Sequence, residues 1–285
     1  MRRACVIVIA TAALGAASCG ASASAGTVLV SAGTRTQAVG TFKFLGQDLQ
    51  YVTDHASVRA TGTSEGSVDL VQHLLQVSYN GSGGLPGDSG PQQTQTIIIG
   101  VDMWTTGLTP PGSVVLGPGG TPVPEKPWMH IRRPTGEPAV VPGGLDPTTL
   151  LDKLKARGNV HRVGQGTVEG VATTEYAEAF PAPTGQAAQD YGAGSLDVWV
   201  DHDGLVRQVR VTQALKAAPD NDPPTPAETD VATIQYYDFG AAVTVAPPPA
   251  SQTEEFGQGL NTLQPCVSSA STALLCKPGT TTSTR

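Results

Sequence analysis

Charge is scarce in this chain. Of its 285 residues only 14% are Asp, Glu, Lys or Arg, and only 5% are aromatic. The 17 basic residues stand against 24 acidic ones, a formal net charge of −7, which speaks against a nucleic-acid partner, since that needs a basic face. Long apolar runs are missing too: the longest, from Ala4 to about Ala17, is shorter than the roughly 20 residues that span a bilayer. Cysteine is limited to four residues, and the five histidines show neither H-x-x-x-H nor C-x-x-C spacing, so no metal-ligand pattern appears. No glycine motif sits between a strand and a helix in the way a phosphate loop requires. No cofactor is implied. What the chain does have is 34 Gly and 23 Pro, which favour many strands and turns over a helical bundle. The length suits one large β domain or two small ones.

The N-terminus reads MRRACVIVIATAALGAASCGASASAG. Arg2 and Arg3 form a basic region ahead of the apolar run, the layout of a cleaved export signal. Ala16, Ala17 and Ser18 lead into Cys19, and Gly20 follows. This resembles a bacterial lipobox, in which the cysteine is acylated and becomes the first mature residue. Ala16 departs from it, since Leu is commonest there. Ordinary cleavage at an A-x-A-like site near Ala21 or Ala23 is the alternative. Each buried CH₂ adds about 0.8 kcal/mol, so several acyl chains on Cys19 would hold the protein on a membrane almost permanently. Cys266 and Cys276, with nine residues between them in a Ser/Thr-rich tail, are expected to pair as a disulfide outside the cell.

Along the chain, residues 28–38 are open between a short helix and a linker. Partial alternation predicts a strand over 40–51. The stretch GSVDLVQHLLQVSY (66–79) carries apolar residues on both parities and predicts one long strand. TQTIIIGVDMWTTG (94–107) predicts a strand and hairpin, and PWMHIRRP a brief strand. The clearest helix signal is LDPTTLLDKLKARG (145–158): Asp146 as N-cap, Pro147 in the first turn, basic residues in the last turn and Gly158 beyond it. Its apolar face carries Leu150, Leu151 and Leu154. Strand patterns then recur about every ten residues, NVHRVGQGTVEG, VATTEYAEAF, LDVWVDH, GLVRQVRVTQ, DVATIQYYDFG and AVTVA, the signature of an antiparallel meander. From Pro247 onward the chain is expected to leave the sheet.

Two stretches invite a chemical reading. GDSGP (87–91) has the look of a serine-protease nucleophile loop at Ser89, but the mechanism needs a His base and a buried Asp beside it. His55 lies only 34 residues upstream, too near for that family's two barrels, and glycine and proline turns explain the stretch. In SLDVWVDHDGLVRQV (195–209), Asp201, His202 and Asp203 cluster ahead of Gly204. A calcium loop would need an oxygen ligand where Leu205 stands. A hairpin uses every residue, since Asp-Gly is a turn signal and Gly204 can take positive φ. An even-length loop would pair Val198 with Val209, Leu196 with Val211, Asp197 with Arg210 and Trp199 with Gln208. An odd loop with a glycine bulge would instead set Val200 opposite Val206 but Val198 opposite Gln208.

This hairpin, with an Arg-bearing return strand in LDVWVDHDGLVRQVRV, resembles the late hairpin of actinobacterial lipoproteins of the LppX/LprG type, within the LolA-like superfamily. Cys19, ATGTSEGSVDL, PWMHI, DPTTLLDKLKARG, VGQGTVEGVATTEYAEAF and YYDFGAAVTVAPPPA follow in the same order, and the likeness covers about residues 27–256. It implies an α+β, mainly β fold: a curved antiparallel sheet, an incomplete barrel, with one or a few helices covering its concave face. It also implies an apolar cavity for acyl chains and no catalytic residues. The long Pro/Gly insertions depart from the pattern and put the size of the cavity in doubt.

The expected organisation is a signal peptide over 1–18, a lipidated cysteine and short tether over 19–26, the half-barrel over 27–256 and a Cys-containing flexible tail over 257–285. The expected function is a non-enzymatic, lipid-anchored protein on the outer face of the cell membrane that binds or carries lipid or another apolar ligand. Inward apolar positions Leu70, Ile98, Leu150, Leu154, Val198 and Val209 are the candidate lining. The expected partners are the membrane, an apolar small molecule and an envelope protein, with the chain a monomer. The rival reading is a cell-surface interaction or regulatory module on the same scaffold with no cavity.

Overall fold

A computed structural model describes residues 24–53, 57–82, 92–106, 126–132, 151, 159–184, 190–217 and 226–256. Cys19, Ser89, Leu150, Leu154, Cys266 and Cys276 lie outside them, as does the 145–158 helix apart from Leu151.

The open stretch at 28–38 is helical. Helix α1 (Ala25–Val39) begins at Ser24, whose side chain accepts from the Thr27 amide, and ends at Gly40 with φ of 79°. Its valines, threonines and two glycines are weak helix formers, so packing must supply the stability. Leu29, Ala32, Gly33 and Thr36 form the buried stripe, a spacing that puts all four on one face. The Thr36 hydroxyl accepts from the Val206 amide at 3.1 Å, and Arg35 donates to the Asp203 carbonyl at 2.8 Å. A side chain at Gly33 would stand 3.1 Å from Leu151 Cδ1, so Leu151 packs against α1 where the helix is narrowest.

The strands are β1 (Thr41–Val52), β2 (Val58–Asp69), β3 (Leu74–Ser82), β4 (Gln92–Ile99), β5 (Asp102–Thr105), β6 (Trp128–Arg132), β7 (His161–Val168), β8 (Val171–Phe180), β9 (Tyr191–Asp201), β10 (Val206–Leu215), β11 (Glu228–Tyr237) and β12 (Thr253–Phe256). They form one open, curved sheet of 12 strands in the order β12-β6-β5-β4-β3-β2-β1-β11-β10-β9-β8-β7. Two meanders, β1–β6 and β7–β11, are joined through the β1–β11 pair. The fold class that the resemblance implies is therefore the one adopted, with one addition: β12 pairs parallel to β6, making the sheet mixed.

Three strand expectations are corrected. Residues 66–79 are not one strand but the end of β2, a turn and the start of β3. No glycine or proline marks that turn. Asp69 makes it, its Oδ1 accepting from the Val71 and Gln72 amides at 2.9 and 2.8 Å, with His73 at φ of 55°. AVTVA (242–246) forms no strand. Asp238 and Gly240, at φ of 50° and 77°, turn the chain out of β11, whose two edges are already filled by β1 and β10. The chain also does not leave the sheet for good at Pro247. A 3-10 turn at Ala250–Gln252 redirects it, and β12 completes the far edge beside β6.

The β9–β10 hairpin combines elements of both registers weighed from sequence. Val206 faces Val200 next to the turn; a bulge at Arg207 then shifts the pairing, so that Gln208, Val209, Arg210 and Val211 face Trp199, Val198, Asp197 and Leu196.

Candidate ligand-binding face

Alternation along each strand sorts the side chains onto two faces. One face carries the core, and register places its residues in rows across the strands. Nearest α1, Phe42, Val68, Leu75, Ile98, Met103 and Ile131 stand side by side from β1 to β6. On the other meander Tyr176, Val198, Val209 and Ile234 do the same from β8 to β11. Leu29 and Ala32 of α1 belong to the same buried cluster. Phe42 and Tyr236 meet edge to face at 5.4 Å between ring centres, a geometry that matches the quadrupoles of the two rings.

Of the lining residues expected from sequence, Ile98, Val198 and Val209 are all buried on this inner face. Val198 and Val209 are direct cross-strand neighbours; Ile98 lies on the other meander. Leu70 is half-buried in the β2–β3 turn and packs against the cluster. The aromatic residues Phe42, Phe44, Tyr176 and Tyr236 were missed as lining, although Phe42/Phe44 and Tyr176/Phe180 follow the period of two that marks one face of a strand.

Further from α1 the same face turns polar. In the next row Glu178, Leu196, Val211, Ala232 and Asp48 follow one another from β8 to β1. Beyond it come Phe180, Gly194, Gln213, Asp230 and Gln50. Glu178, Gln213 and Asp230 are buried to 1%, 1% and 3% exposure, which is costly unless their polar groups are matched. Glu228, at the border of this band, is also buried and forms an ion pair with Arg59. Tyr79, on β3, feels the band: burial, then the charges of Asp48 and Asp230, push its hydroxyl above the ordinary value. No sequence pattern flagged the band, because each strand contributes only one or two of its members.

Glycines let aromatic rings lie flat on this face. A Cβ at Gly194 would run into the Phe180 ring and the Thr212 carbonyl, and one at Gly66 into the Gln76 carbonyl and the Phe44 ring. Such bare positions permit strong local bending of a sheet.

On the outer face, Asp197 and Arg210 oppose each other as expected, but the guanidinium lies over the Trp199 ring, 5.1 Å from its centre. Among the described residues no ion pair joins the two. Burial, then repulsion by Glu175, raises the Asp197 carboxyl above its usual 3.8, against smaller lowering effects of Arg210 and His161. A raised carboxyl binds its proton more tightly folded than unfolded, so stability falls as pH rises above about 3.8. Asp197→Asn is therefore expected to raise the urea midpoint near neutral pH and to lose that gain in acid below the unfolded carboxylate range. A lower midpoint near neutral pH would show that the Arg210 pairing outweighs burial.

The cluster at Asp201 is a turn. Asp201 Oδ1 accepts from the Leu205 amide at 2.9 Å and Oδ2 from Arg207 Nε at 2.6 Å, while Gly204 takes φ of 76°. His202 and Asp203 point to solvent. At the other edge, His130 stacks on Trp104 and bridges Asp102 Oδ1 (3.0 Å) and Glu255 Oε2 (2.7 Å), tying β12 to β5 and β6.

No family model and no curated protein matches the chain. Among solved structures it is similar to LprF from Mycobacterium bovis, at 16% identity over 79% of this chain and 96% of that one, with a TM-score of 0.41. It is also similar to the lipoprotein LppX from Mycobacterium tuberculosis, at 11% identity over 78% and 98%, with a TM-score of 0.42. A LolA superfamily protein from Nitrosomonas europaea aligns at 12% identity over 76% and 92%, with a TM-score of 0.23.

Proposed function

We propose that the chain is a non-enzymatic, extracytoplasmic lipoprotein, anchored through Cys19, that binds or carries an amphiphile with acyl chains. The observation that carries this reading is the inner face itself. An open sheet presents two long apolar rows, no second sheet covers them among the described residues, and the rows run into a polar band on the same face. Acyl chains suit the rows and a head group suits the band. Binding then needs no directional chemistry: at about 0.8 kcal/mol per buried CH₂, one chain of roughly 16 carbons gains on the order of 10 kcal/mol before the costs of association. The resemblance of residues 1–20 to an export signal and lipobox supports a site outside the cytoplasm, on a membrane that would supply the ligand. Within this reading the Cys266–Cys276 disulfide staples the tail, and the chain works as a monomer with an envelope protein as its acceptor.

One feature favours the rival reading of a solid interaction module. Phe42, Val68, Leu75 and Val198 are fully buried by the chain's own atoms, as in a core filled by side chains. Purification without detergent, followed by native mass spectrometry and extraction, separates the two. A bound amphiphile is expected, and Cys19→Ser is expected to move the protein from the membrane to the soluble fraction. Repeated isolation free of lipid, with no uptake of a fluorescent fatty acid, would leave the solid module.

A further inference from the structure

The polar band holds one buried group whose needs are unmet. Gln213 is 1% exposed, and its Nε2 donates to the Gly192 and Ala214 carbonyls at 2.7 and 3.2 Å. Those two acceptors fix which end of the amide is nitrogen, since the reversed amide would face oxygen with oxygen. Its Oε1 has no hydrogen-bond partner among the described residues. A buried acceptor left unmatched is unfavourable by more than an ordinary hydrogen bond contributes, so it calls for a donor.

The neighbours define that donor. Asp230 faces Gln213 across the strand pair, and Glu178 lies on the same face two strands away. An anionic head group would meet these carboxylates. A cationic one would find none waiting, because Glu228 is held by Arg59 and Glu178, Asp230 and Asp48 are already engaged. A neutral amide oxygen beside engaged carboxylates suits a neutral O–H donor. Resting on the carrier reading above, we infer that the band seats an uncharged, hydroxyl-bearing head group, of the glycerol or sugar class, with Gln213 Oε1 as its acceptor.

The probes are a monoacylglycerol, the methyl ester of the same fatty acid, the corresponding lysophosphatidic acid and the corresponding alkylamine, each titrated into the full-length wild-type protein. The monoacylglycerol is expected to bind about tenfold more tightly than the methyl ester, the scale of one buried hydrogen bond regained. Gln213→Leu should bring it down to the methyl-ester level and leave the ester unchanged. Equal wild-type affinities, or tighter binding of the lysophosphatidic acid or the amine, overturn the inference while the carrier reading stands. So does a Gln213→Leu variant in which glycerol ester and methyl ester fall together. If the wild-type chain binds none of the four, both readings fall. The wild-type comparison needs no variant to fold.

Discussion

Gly66→Ala is expected to destabilise the protein by about 3 kcal/mol or more, a large part of the roughly 5–15 kcal/mol that holds a domain together. The added methyl would land on the Gln76 carbonyl of the adjoining strand and within 2.8 Å of the Phe44 ring. The carbonyl is main chain and bonded into the β2–β3 ladder, so it cannot swing aside as a side-chain tip could. An opposing effect exists: Ala restricts the unfolded chain and commonly gains about 0.4–1 kcal/mol where the native backbone accepts it. At Gly66 the clash outweighs that gain severalfold. At Gly166, on edge strand β7, nothing lies within 4 Å of the built Cβ, so Gly166→Ala is expected to be neutral or slightly stabilising. Urea unfolding of the pair decides it, read at the midpoint with the slope unchanged. Equal effects at the two sites would mean that the bare positions of the inner face do not serve close approach.

The second large effect is expected at Asp201→Ala, a loss of about 3 kcal/mol. The carboxylate is fully buried and holds both the Leu205 amide and the Arg207 guanidinium. Its removal strands the half-buried Leu205 N–H and leaves Arg207, itself packed over the Phe239 ring at 4.8 Å, without its counter-charge. Asp203→Ala is the control. Its side chain is exposed, and what α1 uses there is the main-chain carbonyl, held by Arg35. That substitution should fall within about 0.5 kcal/mol of wild type. If the two aspartates proved equally costly, the buried pair would not be what secures the turn. Asp201→Asn, which keeps the amide acceptor but loses the charge, should fall between them.

These two sites show how unevenly the structure could be read in advance. The β9–β10 hairpin was legible because Asp-Gly names a turn and parity then restricts the partners. Its bulge at Arg207 was not, because a bulge follows from which side chain must reach Asp201, a contact made only after folding. The break between β2 and β3 was missed for a related reason. Asp69 caps its own turn through its side chain, and the flanking leucines and valines kept a strand-like pattern running across it. β12 went unseen because four residues, TEEF, carry little signal. What recruits them is a vacant edge on β6 and the His130 bridge to Glu255. AVTVA failed in the opposite sense: strand-like residues follow a turn out of β11, whose two edges are already taken by β1 and β10.

By itself, the sequence determined local and periodic features: most of the strands, the Asp-Gly hairpin turn, the mainly β class, and apolar positions such as Val198, Val209 and Ile98 that turn inward. These follow from neighbours a few residues apart, where alternation and turn chemistry act directly. Only the tertiary structure decided that α1 is a helix, since its weak formers are held by contacts with β10 and Leu151. Only the tertiary structure decided, too, that Glu178, Gln213, Asp230 and Asp48 share one buried band. Each comes from a different strand, and hydrogen-bonded register across five strands, which no local pattern encodes, sets them on one band.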